Sequence, residues 1–198
     1  MKKILIFFLV IMVMNCIAAQ KLVRPAKPYQ VLDSRPGYVT INEISSGMGL
    51  SVISVPYSKM VFDAVTIHGY QINKNFITAL GTGFSVYNGG GLLPLFADIR
   101  YRLNIHFRIK NIFQGSCLQI KPARTTITPY LYTYGGALFP VYGIDTETKL
   151  FISSGVGFNY AVSKKVTANL GAGLFSQFGN LRDSFIKIKL GMGFKPGR

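Results

Sequence analysis

The run at residues 184–194 reads Ser-Phe-Ile-Lys-Ile-Lys-Leu-Gly-Met-Gly-Phe, and it constrains the fold more than any other stretch of the chain. Ile186, Ile188, Leu190, Met192 and Phe194 share one parity, while Lys187, Lys189, Gly191 and Gly193 hold the other. Successive side chains of an extended chain point to opposite faces, so this pattern predicts a strand between two different environments. It is a barrel strand or a half-buried sheet strand. The Gly-x-Gly inside it recurs at Gly47/Gly49, Gly81/Gly83, Gly155/Gly157 and Gly171/Gly173, each time in a run of similar length and followed by Leu or Phe. One structural unit is used repeatedly.

Taken in order, the chain offers eight such runs, at residues 37–50, 60–72, 75–87, 92–103, 127–139, 149–162, 166–178 and 184–194. They are punctuated by turn chemistry: a Ser/Pro/Tyr loop around Pro56, Asn73-Lys74, Asn88-Gly89-Gly90-Gly91, a loop at 140–148, Ser163-Lys164-Lys165, and residues 179–183. The fourth run sets Leu93, Leu95, Ala97, Ile99, Tyr101 and Leu103 against Asp98, Arg100 and Arg102. Its parity continues through Ile105, Phe107 and Ile109, so the strand is expected to project beyond its neighbours into an excursion at 104–126, with a turn at Gln114-Gly115-Ser116 and a short return at 118–121. Eight strands of about ten residues or more match the count and length of a small membrane barrel.

Alternation alone does not say which face is inside, because a soluble barrel is apolar within and a membrane barrel apolar without. The content of the polar face decides. In the sixth run it is Ser153, Gly155, Gly157 and Asn159, and in the seventh Thr167, Asn169, Gly171 and Gly173. A soluble barrel would need charges there, whereas the narrow interior of an eight-stranded barrel requires small residues alternating with large ones. The small polar face is therefore read as the lumen. Tyr70, Phe76, Tyr101, Tyr130, Tyr160 and Phe194 fall near strand ends on the side of the termini, and Tyr87, Phe139, Phe151, Phe178 and Phe185 near the other. Two interfacial aromatic girdles are the expectation. The predicted fold is all-β: one eight-stranded antiparallel up-and-down transmembrane β-barrel over residues 37–194.

At the N-terminus, Lys2 and Lys3 precede an apolar run at 4–14 and then Asn-Cys-Ile-Ala-Ala-Gln. This reads as a cleaved signal-peptide helix, residues 1–19, in preference to a membrane anchor, for which the run is short, or to lipid attachment at Cys16. Residues 20–36, with Pro25, Pro28 and Pro36 among four basic residues, read as a flexible basic leader, and 195–198 as a tail. After cleavage only Cys117 remains, so no internal disulfide is expected. Of the formal charge of +15, removing Lys2 and Lys3 leaves +13. Export, and the lack of aromatics interleaved with the basic residues, argue against nucleic acid as the partner. Lys74, Arg108, Lys110, Lys121, Arg124, Lys164, Lys165, Lys195 and Arg198 gather on the terminal side, whereas Lys59, Lys149 and Arg182 on the other are balanced by Asp145, Glu147 and Asp183. The expected partner of the basic rim is anionic phospholipid or an acidic cell-wall polymer.

Signal peptide, eight alternating runs, repeated Gly-x-Gly-aromatic segments and a last strand ending on Phe194 together resemble the small outer-membrane β-barrels of the OmpA, OmpX and OmpW type. The resemblance covers residues 37–194 and is architectural. It implies location in the cell outer membrane among outer-membrane lipids, both termini in the periplasm, and Phe194 as the signal read by the barrel-assembly machinery. The turn at Asn73, the 104–126 excursion and the turn at Ser163 would then face the periplasm.

Catalysis has little to stand on. His68 and His106 are not at ligand spacing and there is no Cys cluster, so neither metal nor cofactor is expected. His68, Asp63 and a serine would supply a hydrolase or acyltransferase constellation, but a lone lumenal histidine reads better as a packed polar residue. Five Gly-x-Gly copies without a following helix or P-loop lysine do not make a phosphate loop. The candidate site is instead a lumenal charge cluster, Glu43, Asp98, Arg100, Arg102, Lys187 and Lys189, with Phe175 filling the space beside it. Pairing the first and last strands with Tyr38 opposite Phe194 sets Glu43 opposite Lys189, and an ion pair is expected there. The leading functional expectation is a non-enzymatic barrel with a structural or surface-interaction role. A narrow pore or small apolar-ligand conduit comes second, and a membrane acyltransferase or protease third.

Overall fold

The computed structural model describes residues 29–30, 35–50, 59–87, 89–105, 107–109, 124–143, 147–163, 165–178 and 183–196. These residues form ten strands and no helix: β1 (Tyr29–Gln30), β2 (Gly37–Gly49), β3 (Met60–Gln71), β4 (Phe76–Tyr87), β5 (Gly90–Arg102), β6 (Phe107–Ile109), β7 (Arg124–Tyr142), β8 (Lys149–Ala161), β9 (Val166–Phe178) and β10 (Asp183–Phe194). Eight of them are the staves of a closed antiparallel barrel. Each long strand pairs with the next long one, β5 with β7 across the short β6, and β10 returns to pair with β2 from Phe185↔Gly49 to Phe194↔Thr40. Closure leaves no stave with an unpaired edge, which is how a sheet satisfies its backbone without a covering layer.

Period-two side chains decide what each face meets. On β10, Lys187 and Lys189 are buried inside the barrel while Ile186, Ile188 and Leu190 lie exposed on its outer wall. The same rule holds around the ring, where Leu80, Leu95, Leu131, Val156 and Leu170 face out. Two of the short connections are closed by a side chain. Asn73 Oδ1 accepts from the backbone N–H groups of Asn75 and Phe76, each at 2.9 Å. Ser163 Oγ does the same for Lys165 and Val166, at 3.2 and 3.0 Å. Such local side-chain bonds hold a tight reversal without lengthening the loop. At the opposite end the β5–β7 register shifts between Gly91, opposite Tyr142, and Leu92, opposite Pro140. Val141 is thus the extra residue of a bulge, a position at which a strand tolerates proline.

Four expectations change. The fourth strand does not run on to Ile109: it ends at Arg102, Leu103 N–H turns to the carbonyl of Pro129 at 2.9 Å, and β6 instead pairs with β7 through Phe107↔Ile127. The fifth long strand is accordingly longer than expected, spanning Arg124–Tyr142. The leader contributes a strand, because Tyr29–Gln30 pairs in parallel with Arg124 and Thr125. The aromatic girdles are also thinner than expected: Tyr130, Tyr87, Phe151 and Phe185 are buried in the lumen, leaving Tyr70, Tyr101, Tyr160, Phe194, Phe139 and Phe178 exposed near strand ends. Phe185 shares the parity of Lys187, and parity, not height along the strand, sets the face. The signal segment 1–19, most of the leader and residues 110–123, with Cys117 and the expected return at 118–121, lie outside the described residues.

Candidate functional site

The lumen is built by volume complementarity. Tyr130, Tyr132 and Tyr134 project inward from β7, and the Gly-x-Gly runs of the adjoining β8 and β9 receive them. A Cβ added at Gly157 would stand 2.6 Å from Cζ of Tyr130, so the ring occupies the space that a side chain would take. Farther from the termini, rings fill the bore in a continuous chain. Phe96 lies 5.0 Å from Tyr134, Tyr134 5.9 Å from Phe151, Phe151 5.2 Å from Phe175 and Phe175 6.0 Å from Phe185, between centroids. These are tilted, edge and offset arrangements in the range that aromatic pairs prefer.

Within this lining sits a network of ions. Arg100 donates to Asp98 from Nε at 3.0 and 3.2 Å and from Nη2 at 2.7 Å, and its Nη1 reaches Glu43 Oε1 at 2.7 Å. Glu43 stands on β2 and Arg100 on β5, with β3 and β4 between them in the wall, so this bond braces the bore from side to side. Lys187 Nζ lies 2.7 Å from Asp63 Oδ2, which also accepts from Ser45 Oγ at 2.5 Å. Lys189 Nζ is 3.6 Å from Glu43 Oε2. Both lysines rest on aromatic faces: Lys187 Nζ is 3.4 Å from the Phe175 centroid, and Lys189 Nζ is 4.1 and 3.9 Å from those of Tyr132 and Tyr134. Desolvated cations need such partners, since ring faces and carboxylates replace the lost water.

Of the residues singled out from the sequence, Glu43, Asp98, Arg100, Lys187 and Lys189 are brought together in the lumen. The β2–β10 register stands two residues from the expected one: Phe194 pairs with Thr40 and Glu43 with Gly191, so Glu43 meets Lys189 diagonally. Arg102 is apart from the carboxylates and donates to Gln71 Oε1 at 3.3 Å. Phe194, expected as an assembly signal, ends β10 with its ring exposed on the outer wall. Asp183, expected to balance the loop-side rim, is instead buried in the bore and accepts from Gln177 Nε2 at 3.1 Å.

His68 is not lumenal. It lies on the outer wall, held by Tyr38 Oη at 2.5 Å and Thr66 Oγ1 at 3.1 Å, while Asp63 faces the lumen. Their odd and even numbers on one strand put the barrel wall between them, which dissolves the His68–Asp63 constellation. Asp63 as the partner of Lys187, and the three tyrosines over the glycines, escaped the sequence reading. A run of large aromatics at period two beside repeated small residues at period two was the available signal for the latter. Of the terminal-side cations, Lys74 and Lys165 are exposed; the side chains of Arg108, Lys110, Lys121, Arg124, Lys164 and Arg198 lie outside the described residues.

The sequence matches no family model and no curated protein. The fold is similar to that of Neisserial surface protein A (NspA), at 15% identity and a TM-score of 0.51, over 82% of this chain and 99% of that one. The N-terminal β-barrel domain of Pseudomonas aeruginosa OprF aligns over 81% of this chain and all of its own length, 100%, at 14% identity and a TM-score of 0.42. At such identity the likeness is one of fold: a small eight-stranded β-barrel.

Proposed function

We propose that this chain is a non-enzymatic outer-membrane barrel, exported by its N-terminal segment, which spans the bilayer with a filled lumen and serves a structural or surface-interaction role through its loops. The observation that carries the reading is the inversion of the two faces. Leu80 is 67% exposed and Ile188 59%, and residues like them encircle the outer wall, while the six charged side chains of the ion network lie buried within. Soluble proteins rarely expose a contiguous apolar surface of more than a few hundred Å², and a belt around a whole barrel far exceeds that. Lipid is the solvent that such a surface requires, and a closed barrel is one of the two structures whose backbone is satisfied in it. The likeness to a protein named as a neisserial surface protein supports placement at the cell surface.

The test is fractionation followed by gel migration. The protein should sediment with outer membranes and resist alkaline extraction, and it should migrate differently before and after boiling. Recovery as a monodisperse protein in buffer without detergent would overturn the membrane reading.

A further inference from the structure

We propose that the terminal-side mouth of the barrel is a binding site for a phosphate group. A cavity of about 30 Å³ lies there, lined by Arg100, Arg102, Asn159, Lys165, Asn169 and Lys195 above an apolar collar. Arg100 forms its floor and is already engaged by Asp98 and Glu43. The cations above it are differently placed. Arg102 Nη1 and Lys195 Nζ both reach the neutral Gln71 Oε1, each at 3.3 Å, and Lys195 Nζ also donates to the carbonyl of Arg35; Gln71 is wholly buried. Arg102 Nε is buried with no hydrogen-bond acceptor, and among the described residues no carboxylate lies within ion-pair distance of Arg102 or Lys165. A buried guanidinium whose Nε lacks an acceptor and whose Nη1 reaches a neutral amide oxygen marks the place where an anion belongs.

The chemistry of the lining selects the anion. Arg102 offers a planar fork suited to two oxygens of one phosphate. The carbonyl of Lys165 accepts from the backbone N–H of Lys195 at 2.8 Å, which keeps the two lysines side by side at the rim. Asn169 Oδ1 is also buried without a partner, and turning that amide over presents its NH₂ to the cavity. A carboxylate would offset one of the two positive charges on Arg102 and Lys165, whereas a phosphate monoester carries about −1.5 to −2. The volume admits roughly two waters, or the oxygens of one phosphate, and no larger body. Lys165 is exposed, so the site opens to solvent on the terminal side. The site depends on the lumen alone and stands whichever solvent meets the outer wall.

The test uses the full chain refolded in an uncharged maltoside detergent at about 0.15 M chloride, where loose surface attraction is screened. Inorganic phosphate, glycerol 3-phosphate and acetate are titrated against the amide and side-chain NMR signals of Arg102 and Asn169. Inorganic phosphate should produce saturable shifts. Arg102→Gln should weaken binding about tenfold or more, as loss of charge-assisted hydrogen bonds does. Lys165→Gln, at an exposed position that folding does not depend on, should weaken it about threefold. Glycerol 3-phosphate binding as well as phosphate identifies the terminal phosphate of a larger molecule, and phosphate binding alone identifies the free ion. Absence of saturation, acetate binding as tightly as phosphate, or unchanged affinity in both variants would overturn the proposal.

Discussion

Arg100 has two carboxylates, Lys187 has one, and Lys189 shares Glu43 at the longer distance of 3.6 Å. The three cations should therefore differ in what their removal costs. Truncating one partner of a buried pair leaves the other charge without compensation, at about 3–5 kcal/mol. Arg100→Met strands Asp98 and half of Glu43, and should fall at the top of that range; Lys187→Met strands Asp63, to which the Ser45 hydroxyl still donates. Lys189→Met leaves Glu43 bonded to Arg100 and should cost distinctly less than Lys187→Met. Urea unfolding of each variant in detergent or lipid, followed by tyrosine fluorescence, gives the order. Asp63→Asn combined with Lys187→Met should recover part of the single-variant loss, because no uncompensated charge is left inside. A Lys189→Met loss equal to that of Arg100→Met would mean that Glu43 is held by the lysine instead.

Among the elements, β4 and β5 show how a glycine and an aromatic ring are used as a pair. Gly81 sits directly opposite Phe96, and the three heavy atoms nearest to a Cβ built on Gly81 all belong to the ring of Phe96. An aromatic lying over a cross-strand glycine covers backbone that the glycine leaves bare. Gly81→Ala should therefore destabilise by about 1–3 kcal/mol through overpacking. Phe96→Leu in the same background should restore much of the loss, and the unfolding midpoints of the two single variants and the double variant check the coupling. Additive losses would place the strain in the backbone. The terminal-side turns offer a second measurement at this scale. Asn73→Ala removes the acceptor for two backbone N–H groups and should cost about 1 kcal/mol, with the effect seen in hydrogen exchange at Asn75 and Phe76.

Across the whole molecule, the bore is closed twice. Tyr130, Tyr132 and the ions Arg100, Asp98 and Glu43 occupy the half nearer the termini, and the ring chain from Phe96 to Phe185, with Lys187 and Asp63 beside it, occupies the other. Eight staves enclose a space that side chains fill, so a steady ionic current is not expected from the pure folded protein. Planar-bilayer recording is the check: long, uniform openings in the wild-type chain would show that the network parts. Enlarging the bore by Tyr132→Ala and Phe175→Ala together should raise leakage before it abolishes folding, since each removes a large buried side chain.

Much of this architecture was legible in the sequence because a strand's period is a local property. Ile186 to Phe194 declares its two faces without reference to any other strand, and the small residues at Gly155, Gly157, Gly171 and Gly173 point to a narrow interior. Turn residues such as Asn73 and Ser163 mark the reversals, and parity alone separates His68 from Asp63. Pairing across the barrel is a different matter. Register between β10 and β2 depends on the closing stagger of all eight staves, and a shift of two residues preserves every face while changing every opposite neighbour. That is why Glu43 and Lys189 could be assigned to one interior, yet the bond from Glu43 to Arg100, 57 residues away, came only from the closed barrel. The ring of Tyr130 stands at the height of an interface, yet its parity turns it inward, where it fills the space over Gly157. The sequence by itself determined the staves and their faces; the curvature of the closed sheet decided which inward side chains touch, because touching depends on distances across a bore that no local pattern encodes.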